Sequence, residues 1–389
     1  MRRSTDHILA THVGALPGPQ ALWDGETVSE ARLQEAVAGV VRFQLEAGID
    51  IVNEGELSKG GDWLSFINQR LSGFEPADGG TTATLLSQGP DWAEFSDFYT
   101  AAMKGGTLFE QTASGPFRAD RATRDWACTG PIAYVGQARL QQEIDALKRA
   151  LGEHPVGDAF LTSTAPASVE VGRSNRHYRT DEEFLFALAE ALSVEYEAIA
   201  KAGLLVQVDD AWLAALWDRI GLQMGLDGYK KYCMLRVEAL NHALRNIPPE
   251  QVRYHLCWGS WHGPHAHDIP LPDIVEVMLA VNAGAYLFEA ANVRHEHEYH
   301  VWERVQLPAG RILAPGVVSH ATTLIEHPEL VAERIGRFAR IVGPENVIAS
   351  TDCGLGLRCH PQIAWAKLKA LAQGARLASR QLGLGARAA

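Results

Sequence analysis

The stretch EEFLFALAEALSVEYEAIAKAGLLVQVDD (182–210) decides the fold of this chain. As far as Gly203 its apolar residues recur at the spacing of an amphipathic helix, and glycine is typical of a helix C-terminus. The apolar run LLVQV follows at once and is typical of a strand buried on both faces. The strand then ends in two acidic residues, Asp209 and Asp210. A helix followed directly by a buried strand predicts one αβ unit of a parallel sheet.

The same unit recurs on both sides of this stretch. Four other helical segments, each followed by a short apolar strand, are predicted at 32–48, 229–247, 269–284 and 329–343. Repeated alternation predicts a parallel sheet, and no G-x-G-x-x-G supports a doubly wound dinucleotide fold. We therefore predict an α/β protein, a (β/α)₈ TIM barrel forming one domain over 1–389 with inserted loops at the C-terminal mouth. The segment 75–127, rich in Gly, Thr and aromatic residues, breaks the alternation and is predicted to be an insertion.

Reactive side chains stand at the ends of the predicted strands. They are Glu56, Asp209, Asp210, His255, Cys257, Glu289, Asp352 and Cys353. In a barrel the carboxyl ends of the strands converge on one mouth, where active sites lie. The sequence therefore places these side chains around a single site.

The strand VRYHLCWG (252–259) carries the most specific pattern. His255 and Cys257 are two residues apart, so on a strand they face the same side. Glu289 and Cys353 end two later strands, and one His, two Cys and one Glu are a plausible tetrahedral zinc set. The alternatives are a half-buried His beside a core Cys, and a purely electrostatic role for Glu289.

Weaker patterns surround this one. The loops WHGPHAHDIP (261–270) and RHEHEYH (294–300) are rich in His, which we expect mostly to hold loops, grip substrate or orient ligands. Asp210 suits the N-cap of the next helix, which leaves Asp209 to recognise a cation. The segment ATHVGALP (10–17) has the pattern of a first strand whose exposed N–H groups meet an anionic group. The remaining cysteines are expected to be structural: Cys128, Cys233 and Cys359.

Composition restricts the class of partner. The 389 residues are 47% hydrophobic and carry a net charge of −12, which argues against nucleic acid and anionic membrane as partners. Five irregularly spaced cysteines are not a disulfide framework and predict a reducing, cytoplasmic location. No stretch reaches the ~20 apolar residues of a membrane helix. We expect small-molecule partners, and assembly into a homo-oligomer stays open.

These segments together resemble the catalytic C-terminal half of the cobalamin-independent methionine synthase family. The resemblance runs from residue 7 to about 357, in family order. It rests on the stretches THVGALPGP, DIVNEGELSKGGDW, FLTSTAPASVE, AGLLVQVDDAWLA, HLCWGSWHGPHAHDIPL, FEAANVRHEHEY, APGVVS and STDCGLG. H-x-C with a later Glu and D-C-G is its specific part. The family also resembles the epoxyalkane:coenzyme M transferases, which share the barrel and the zinc site but attack an epoxide with a thiol.

The resemblance implies a TIM barrel with zinc at His255, Cys257, Glu289 and Cys353. It implies a zinc-dependent methyltransferase similar to 5-methyltetrahydropteroyltriglutamate–homocysteine S-methyltransferase, acting in methionine biosynthesis. Glu56 and Asp209 would then hold the ammonium group of homocysteine. Ala15 stands where the synthases usually carry Ser, and Ser319 where they carry Asp, both near the expected amino-acid pocket.

The implied chemistry is alkyl transfer to a thiol. Zinc lowers the pKa of a bound thiol, so the bound substrate thiolate is the expected nucleophile. A proton donor for the leaving group is expected in His320 or a loop histidine. Three functions stay open: methyl transfer like that of the synthases, another thiol alkylation such as epoxide opening, and a non-catalytic zinc-binding barrel. The acceptor thiol and the alkyl donor, folate included, also stay open.

Overall fold

Seven parallel strands form the main sheet of the computed structural model. The structure describes residues 1–19, 22, 29–59, 65–77, 89–108, 125–152, 154, 158–356 and 358–385. The seven strands, in their order across the sheet, are β1 (Ile51–Val52), β4 (Asp158–Thr164), β6 (Leu205–Asp210), β7 (Val252–Leu256), β8 (Ala285–Phe288), β9 (Ile312–Val318) and β10 (Ser350–Thr351). The order follows the chain, as it does in a barrel.

The N-terminal segment closes the sheet between its first and last strands. Ala10 forms a parallel bridge with Ala349, and Thr11 N donates to Ala349 O at 2.8 Å. On the other side Asp50 N and Ile51 N donate to Ala10 O at 2.9 and 3.2 Å. This segment supplies the eighth position of the barrel, so the predicted (β/α)₈ fold is confirmed.

Helices surround the barrel and precede most of its strands. Those described are α1 (Glu30–Ala47), α2 (Pro90–Glu94), α3 (Ser96–Gly105), α4 (Gln137–Leu151), α5 (Pro166–Glu170), α6 (Asp181–Lys201), α7 (Trp212–Ala215), α8 (Leu222–Ala243), α9 (Leu271–Ala280), α10 (Pro328–Val342) and α11 (Pro361–Gln381). Gly48 ends α1 in the left-handed conformation, with φ of 90°, which an L side chain adopts only with strain. Between β8 and β9 the chain makes a 3₁₀ helix, Glu296–Glu303, where a regular unit has an α-helix.

Two apolar layers stabilise the barrel. The inner layer is made of side chains that point from the strands into the barrel. It includes Leu9, Ile51, Phe160, Leu205, Leu287, Ala314 and Ile348. The outer layer packs the helices against the strands. Arg253 crosses the interior, where its Nη1 and Nη2 donate to Thr11 Oγ1 at 3.1 Å and His12 O at 2.9 Å. Because the interior is filled, the site can form only at the ends of the strands.

A smaller sheet and two helices elaborate the molecule. Strands β2 (Phe74–Ala77), β3 (Asp125–Cys128) and β5 (Arg173–Asn175) form this sheet, with β2 and β3 antiparallel. The predicted insertion 75–127 lies partly outside the described residues. Its described helices α2 and α3 lie against the loop after β7, where Asp91 Oδ1 accepts from Ala266 N at 2.7 Å. In the part of the chain that the structure describes, no helix combines the length and apolar character needed to span a membrane.

Candidate metal centre

Three side chains at the barrel mouth form a group that could hold a metal ion. His255, Cys257 and Cys353 each offer one ligand atom, and these atoms lie within 4.8 Å of one another. His255 is the next-to-last residue of β7, and Cys257 follows two residues later on the same side of the chain. Cys353 follows the short strand β10. The structure thus brings together three of the four side chains expected to bind zinc.

One nitrogen of His255 is left for such an ion. Its Nδ1 bonds to Asp209 Oδ1 at 3.0 Å, whereas its buried Nε2 has no hydrogen-bond partner among the residues that the structure describes. Burial alone would lower the pKa of His255, but the hydrogen bond and charge of Asp209 outweigh it and raise that pKa to about 9. A carboxylate behind a ligating imidazole is the usual arrangement in metal sites, because it fixes the orientation of the ring. The donor set and the free buried nitrogen fit zinc.

The two cysteines interact with each other. A thiol hydrogen bond between Cys257 and Cys353 is the largest influence on both: it lowers the pKa of Cys353 to about 7 and raises that of Cys257. The positive charges of His255 and Arg358 also favour the Cys353 thiolate. The other three cysteines, Cys128, Cys233 and Cys359, are buried, and burial raises the pKa of each. The cysteine pair at the mouth therefore contains the thiol that ionises most readily.

Glu289 lies beside the triad and belongs to a second group. Its Oε1 accepts from the backbone N of Trp258, the residue after Cys257, at 3.4 Å. Its ligand atom lies within 4.8 Å of those of His320 and Asp352, all three buried. Its negative charge opposes ionisation of Cys257 and Cys353. Glu289 is therefore within electrostatic reach of the triad.

Asp352 fixes the position of this second group. Its Oδ1 accepts from Ala290 N at 2.8 Å and Ala291 N at 2.9 Å, which are the two residues after Glu289. A Cβ at Gly316 would lie only 2.1 Å from Asp352 Oδ1, so glycine is needed there. Burial, with the Glu289 charge, raises the pKa of Asp352 well above its usual range. Asp352, the residue before Cys353, is thus linked by hydrogen bonds to the backbone that follows Glu289.

His320, the expected proton donor, is buried in the same group. Within the described part of the chain, its Nδ1 has no hydrogen-bond partner. Burial, together with the positive charge of Arg358, lowers the pKa of His320 well below its usual value. The imidazole is therefore neutral at pH 7. A neutral ring carries a proton on one nitrogen and can accept one on the other.

Glu56, expected to bind a substrate ammonium, already has partners. Thr162 Oγ1 donates to Glu56 Oε1 at 2.7 Å, and Lys59 Nζ lies 3.9 Å from that same oxygen. Burial and the charge of Asp209 raise the pKa of Glu56, whereas Lys59 lowers it. Gly14 leaves room for the carboxylate, since a Cβ there would lie 2.4 Å from Oε1. Sequence reasoning missed Lys59, because nothing in GELSKGG marks a buried lysine.

The positions that differ from the synthases also lie at the mouth. Ala15 O accepts from Leu355 N at 2.9 Å and Gly356 N at 2.8 Å, which ties the first loop to the loop after Cys353. A Cβ at Gly354 would lie 3.0 Å from Ala15 Cβ, so the glycine at 354 lets the two loops approach this closely. Ser319 N donates to Glu326 Oε1 at 2.8 Å.

The loop histidines mostly pair with carboxylates. His265 Nδ1 bonds to Asp268 at 3.0 Å, and His295 bridges Asp268 Oδ2 at 3.1 Å and Glu298 Oε2 at 2.7 Å. His267 and Glu94 are 2.8 Å apart and nearer the surface. His262 Nε2 is buried and has no hydrogen-bond partner among the residues described, and burial lowers the pKa of His262 to about 4. These histidine–carboxylate pairs lie close enough to Glu289 for its charge to raise the pKa of His265 and His295.

The fold and the site together define a class of protein: (β/α)₈ barrels with His and Cys side chains gathered at the ends of the strands. Among characterised proteins, the chain is 22% identical to 2-hydroxypropyl-CoM lyase of Xanthobacter autotrophicus, over 97% of this chain and 96% of the relative. It is 23% identical to methionine synthase of Saccharolobus solfataricus, over 96% and 95% respectively. The resemblance to methionine synthases and to the coenzyme M branch is thereby confirmed. No sequence profile of a described protein family matches the chain.

A solved structure agrees with the architecture. The B12-independent methionine synthase of Shewanella sp. W3-18-1, in complex with selenomethionine, superposes with a TM-score of 0.70. The match covers 97% of this chain and 99% of the other at 17% identity. At that identity the likeness establishes the fold alone.

Proposed function

We propose that this protein is an enzyme that transfers an alkyl group, methyl in the simplest case, to a small thiol. Zinc would be held by His255, Cys257, Cys353 and Glu289. The observation that carries the proposal is the buried, unpartnered Nε2 of His255 in a side chain grouped with two cysteines. The similarity to methionine synthases over 96% of the chain supports it.

The donor set favours thiol chemistry over water activation. When bound, zinc lowers the pKa of a coordinated thiol, so that the thiolate is present at neutral pH. Two Cys thiolates and one Glu carboxylate contribute three negative charges, which leaves an added sulfur electron-rich and nucleophilic. Asp209 holds the His255 ring through Nδ1. Asp352 holds the backbone beside Glu289.

The transfer itself needs one proton on the donor side. The thiol sulfur forms a bond to the alkyl carbon, the bond from that carbon to the leaving group breaks, and the leaving group takes a proton. We propose that His320 relays this proton. Its neutral ring lies in the group with Glu289, and its Nδ1, which has no partner among the described residues, can accept the proton that the thiol loses and pass it to the leaving group. Glu56, Asp209 and Ala15 would line the acceptor pocket. Such a protein needs no partner beyond its small substrates, and we propose a cytoplasmic location for it.

A second candidate is addition of a thiol to an epoxide, or another C–S bond reaction. The similarity to a 2-hydroxypropyl-CoM lyase over 97% of the chain favours it. The same side chains would serve, since the sulfur again attacks carbon and an oxygen takes the proton. The two candidates differ in the alkyl donor.

X-ray absorption at the zinc edge tests the proposal. We expect one zinc per chain, and one additional Zn–S contact when homocysteine, 4-mercaptobutyrate or coenzyme M is added. A zinc site that gains no sulfur with any of the three thiols would contradict the proposal and favour a non-catalytic zinc-binding barrel. Incubation of the thiol-loaded protein with methyl donors and epoxides then separates the two candidates.

A further inference from the structure

Two carboxylates stand next to the metal-binding triad, and each has a cation supplied by the chain. Asp209 accepts from His255 Nδ1 at 3.0 Å and from Gln207 Nε2 at 2.8 Å. Arg253 lies close enough to Asp209 for their charges to interact. Glu56 has Lys59 Nζ at 3.9 Å. Two like charges in one buried place need a cation, and this protein provides its own.

Lys59 is fixed in place by several contacts. Its side chain is 4% exposed, and its Nζ donates to Thr162 O at 2.8 Å and also to Thr162 Oγ1. Thr162 Oγ1 in turn donates to Glu56, which links lysine, threonine and glutamate in one chain of hydrogen bonds. The ring of Phe66 lies 4.9 Å from Nζ. The 3₁₀ turn Leu57–Lys59 sets this geometry, because it brings Lys59 back over Glu56.

The neighbouring Glu54 adds no further negative charge. Both of its carboxylate oxygens are buried, and neither has a hydrogen-bond partner in the described ranges of the chain. Burial raises its pKa to about 8, against the opposing effect of Lys59. At neutral pH the balance around the pocket is therefore between Glu56 and Asp209 on one side and Lys59 and Arg253 on the other. No net negative charge is left among these four groups to attract a substrate ammonium.

We propose that Lys59 determines which thiols are accepted, and that the acceptor is a thiol without an ammonium group, such as a mercaptocarboxylate. An ammonium that reached Glu56 would come within a few ångströms of Lys59 Nζ, where like charges repel strongly because the pocket is buried. A thiol that carries only an acidic or neutral tail meets no such repulsion. This inference rests on the proposed function, because it concerns the acceptor of that same site.

A matched pair of thiols tests the inference on the wild-type protein loaded with zinc. Homocysteine and 4-mercaptobutyrate have the same sulfur, chain length and carboxylate, and differ only in the amino group. Isothermal titration calorimetry gives the two dissociation constants at pH 7. We expect 4-mercaptobutyrate to bind about tenfold more tightly or better, since the ammonium meets Lys59. Homocysteine that binds as tightly as 4-mercaptobutyrate, or more tightly, overturns the inference.

Variants assign the effect to Lys59. In Lys59→Met the preference should reverse, because Glu56 then lacks a cation and a substrate ammonium can supply it. Lys201→Met, which removes an exposed lysine paired with Glu197 at 3.0 Å, controls for total charge and should keep the wild-type preference. An unchanged preference in a folded Lys59→Met protein overturns the inference. If Lys59→Met does not fold, the wild-type comparison decides alone.

X-ray absorption and calorimetry together distinguish failure of the proposed function from failure of the inference about Lys59. If none of homocysteine, 4-mercaptobutyrate and coenzyme M adds a sulfur to zinc in the absorption spectrum, the proposed function fails and the inference falls with it. If both thiols bind zinc but homocysteine is preferred, the function stands and only the inference about Lys59 is wrong.

Discussion

Asp209 has a partner that its sequence position does not indicate. At the end of LLVQVDD it is expected to recognise a cation, and Asp210 to cap the next helix. Asp210 does accept from Leu213 N at 3.4 Å, although it lies one residue before the N-cap position, which Ala211 occupies. Asp209, however, accepts from His255 Nδ1. The contact with His255 could not be predicted from local sequence. It depends on the register between β6 and β7, which pairs Asp209 with His255 only once the sheet has formed.

Replacing Asp209 should weaken metal binding. In Asp209→Ala the His255 ring loses the carboxylate that orients it, and we expect zinc affinity to fall by about 10- to 100-fold. Competition with a chromophoric chelator measures the change. Asp50→Ala is the control, because Asp50 pairs with His7 at 3.0 Å at the opposite end of the barrel. An Asp209→Ala affinity within twofold of wild type would show that the carboxylate does not support the metal.

The cysteines divide into two classes that substitution can distinguish. Cys257→Ser or Cys353→Ser should remove most bound zinc, since a hydroxyl is a far poorer ligand than a thiolate. Cys128→Ser should keep full stoichiometry, because Cys128 only donates to Gly130 O at 3.4 Å, which a hydroxyl can also do. Metal analysis after dialysis gives the ratio of zinc to protein. Full zinc content in Cys353→Ser would mean that this ligand set is wrong.

Among the secondary-structure elements, the sequence predicts those features that depend on residues close together in the chain. The helix and strand of each αβ unit follow from apolar spacing, and observed α6 (Asp181–Lys201) and β6 (Leu205–Asp210) lie within a residue or two of the expected bounds. The H-x-C pattern is also local, because two residues on one strand share a face. The antiparallel pairing of β2 with β3 was not predicted, since Phe74 pairs with the distant Cys128. Lys59 over Glu56 depends on a tight turn that no apolar pattern marks.

The loops after β7 and β8 are tied together by His295. This buried imidazole bridges Asp268 on one loop and Glu298 on the other. Burial alone would lower the pKa of His295, but the two hydrogen-bonded carboxylates raise it to about 10. A raised pKa in the folded state means that the protonated ring stabilises the fold fully below its unfolded value of 6.5. That stabilisation is lost as the pH rises toward 10.

His295→Gln should therefore destabilise the protein in a pH-dependent way. We expect the loss in unfolding free energy to be about 2 kcal/mol or more at pH 6, and to shrink steadily between pH 7 and 10. Urea unfolding at several pH values measures the difference from wild type. His300→Gln is the control, because its pair with Glu303 at 3.1 Å is more than half exposed and contributes little. A His295→Gln loss that does not vary with pH would contradict this role.

For the whole molecule, the two ends of the chain meet. The segment around Ala10 closes the barrel between β1 and Ala349. Ile8 N donates to Ser379 Oγ of the last helix at 2.9 Å. The candidate metal site likewise brings Cys353, which follows the last strand, next to His255 on a central strand. Because the site and the closure need both ends, we predict that the barrel folds as one unit over 1–389.

Thr11 joins three parts of this closure, and replacing it tests the prediction. Its N–H donates to Ala349 O, its Oγ1 donates to Ile51 O at 3.0 Å, and Oγ1 accepts from Arg253. Thr11→Val keeps the shape but leaves Ile51 O and one Arg253 donor unsatisfied, which should lower the unfolding free energy by about 1–3 kcal/mol. Thr322→Val, in an exposed turn, should change it by no more than about 0.5 kcal/mol. Far-UV circular dichroism and tryptophan fluorescence should report one coincident transition in both variants, because loss of closure weakens the entire barrel. Two separate transitions in urea, with only one of them shifted by Thr11→Val, would mean that the chain unfolds as independent parts.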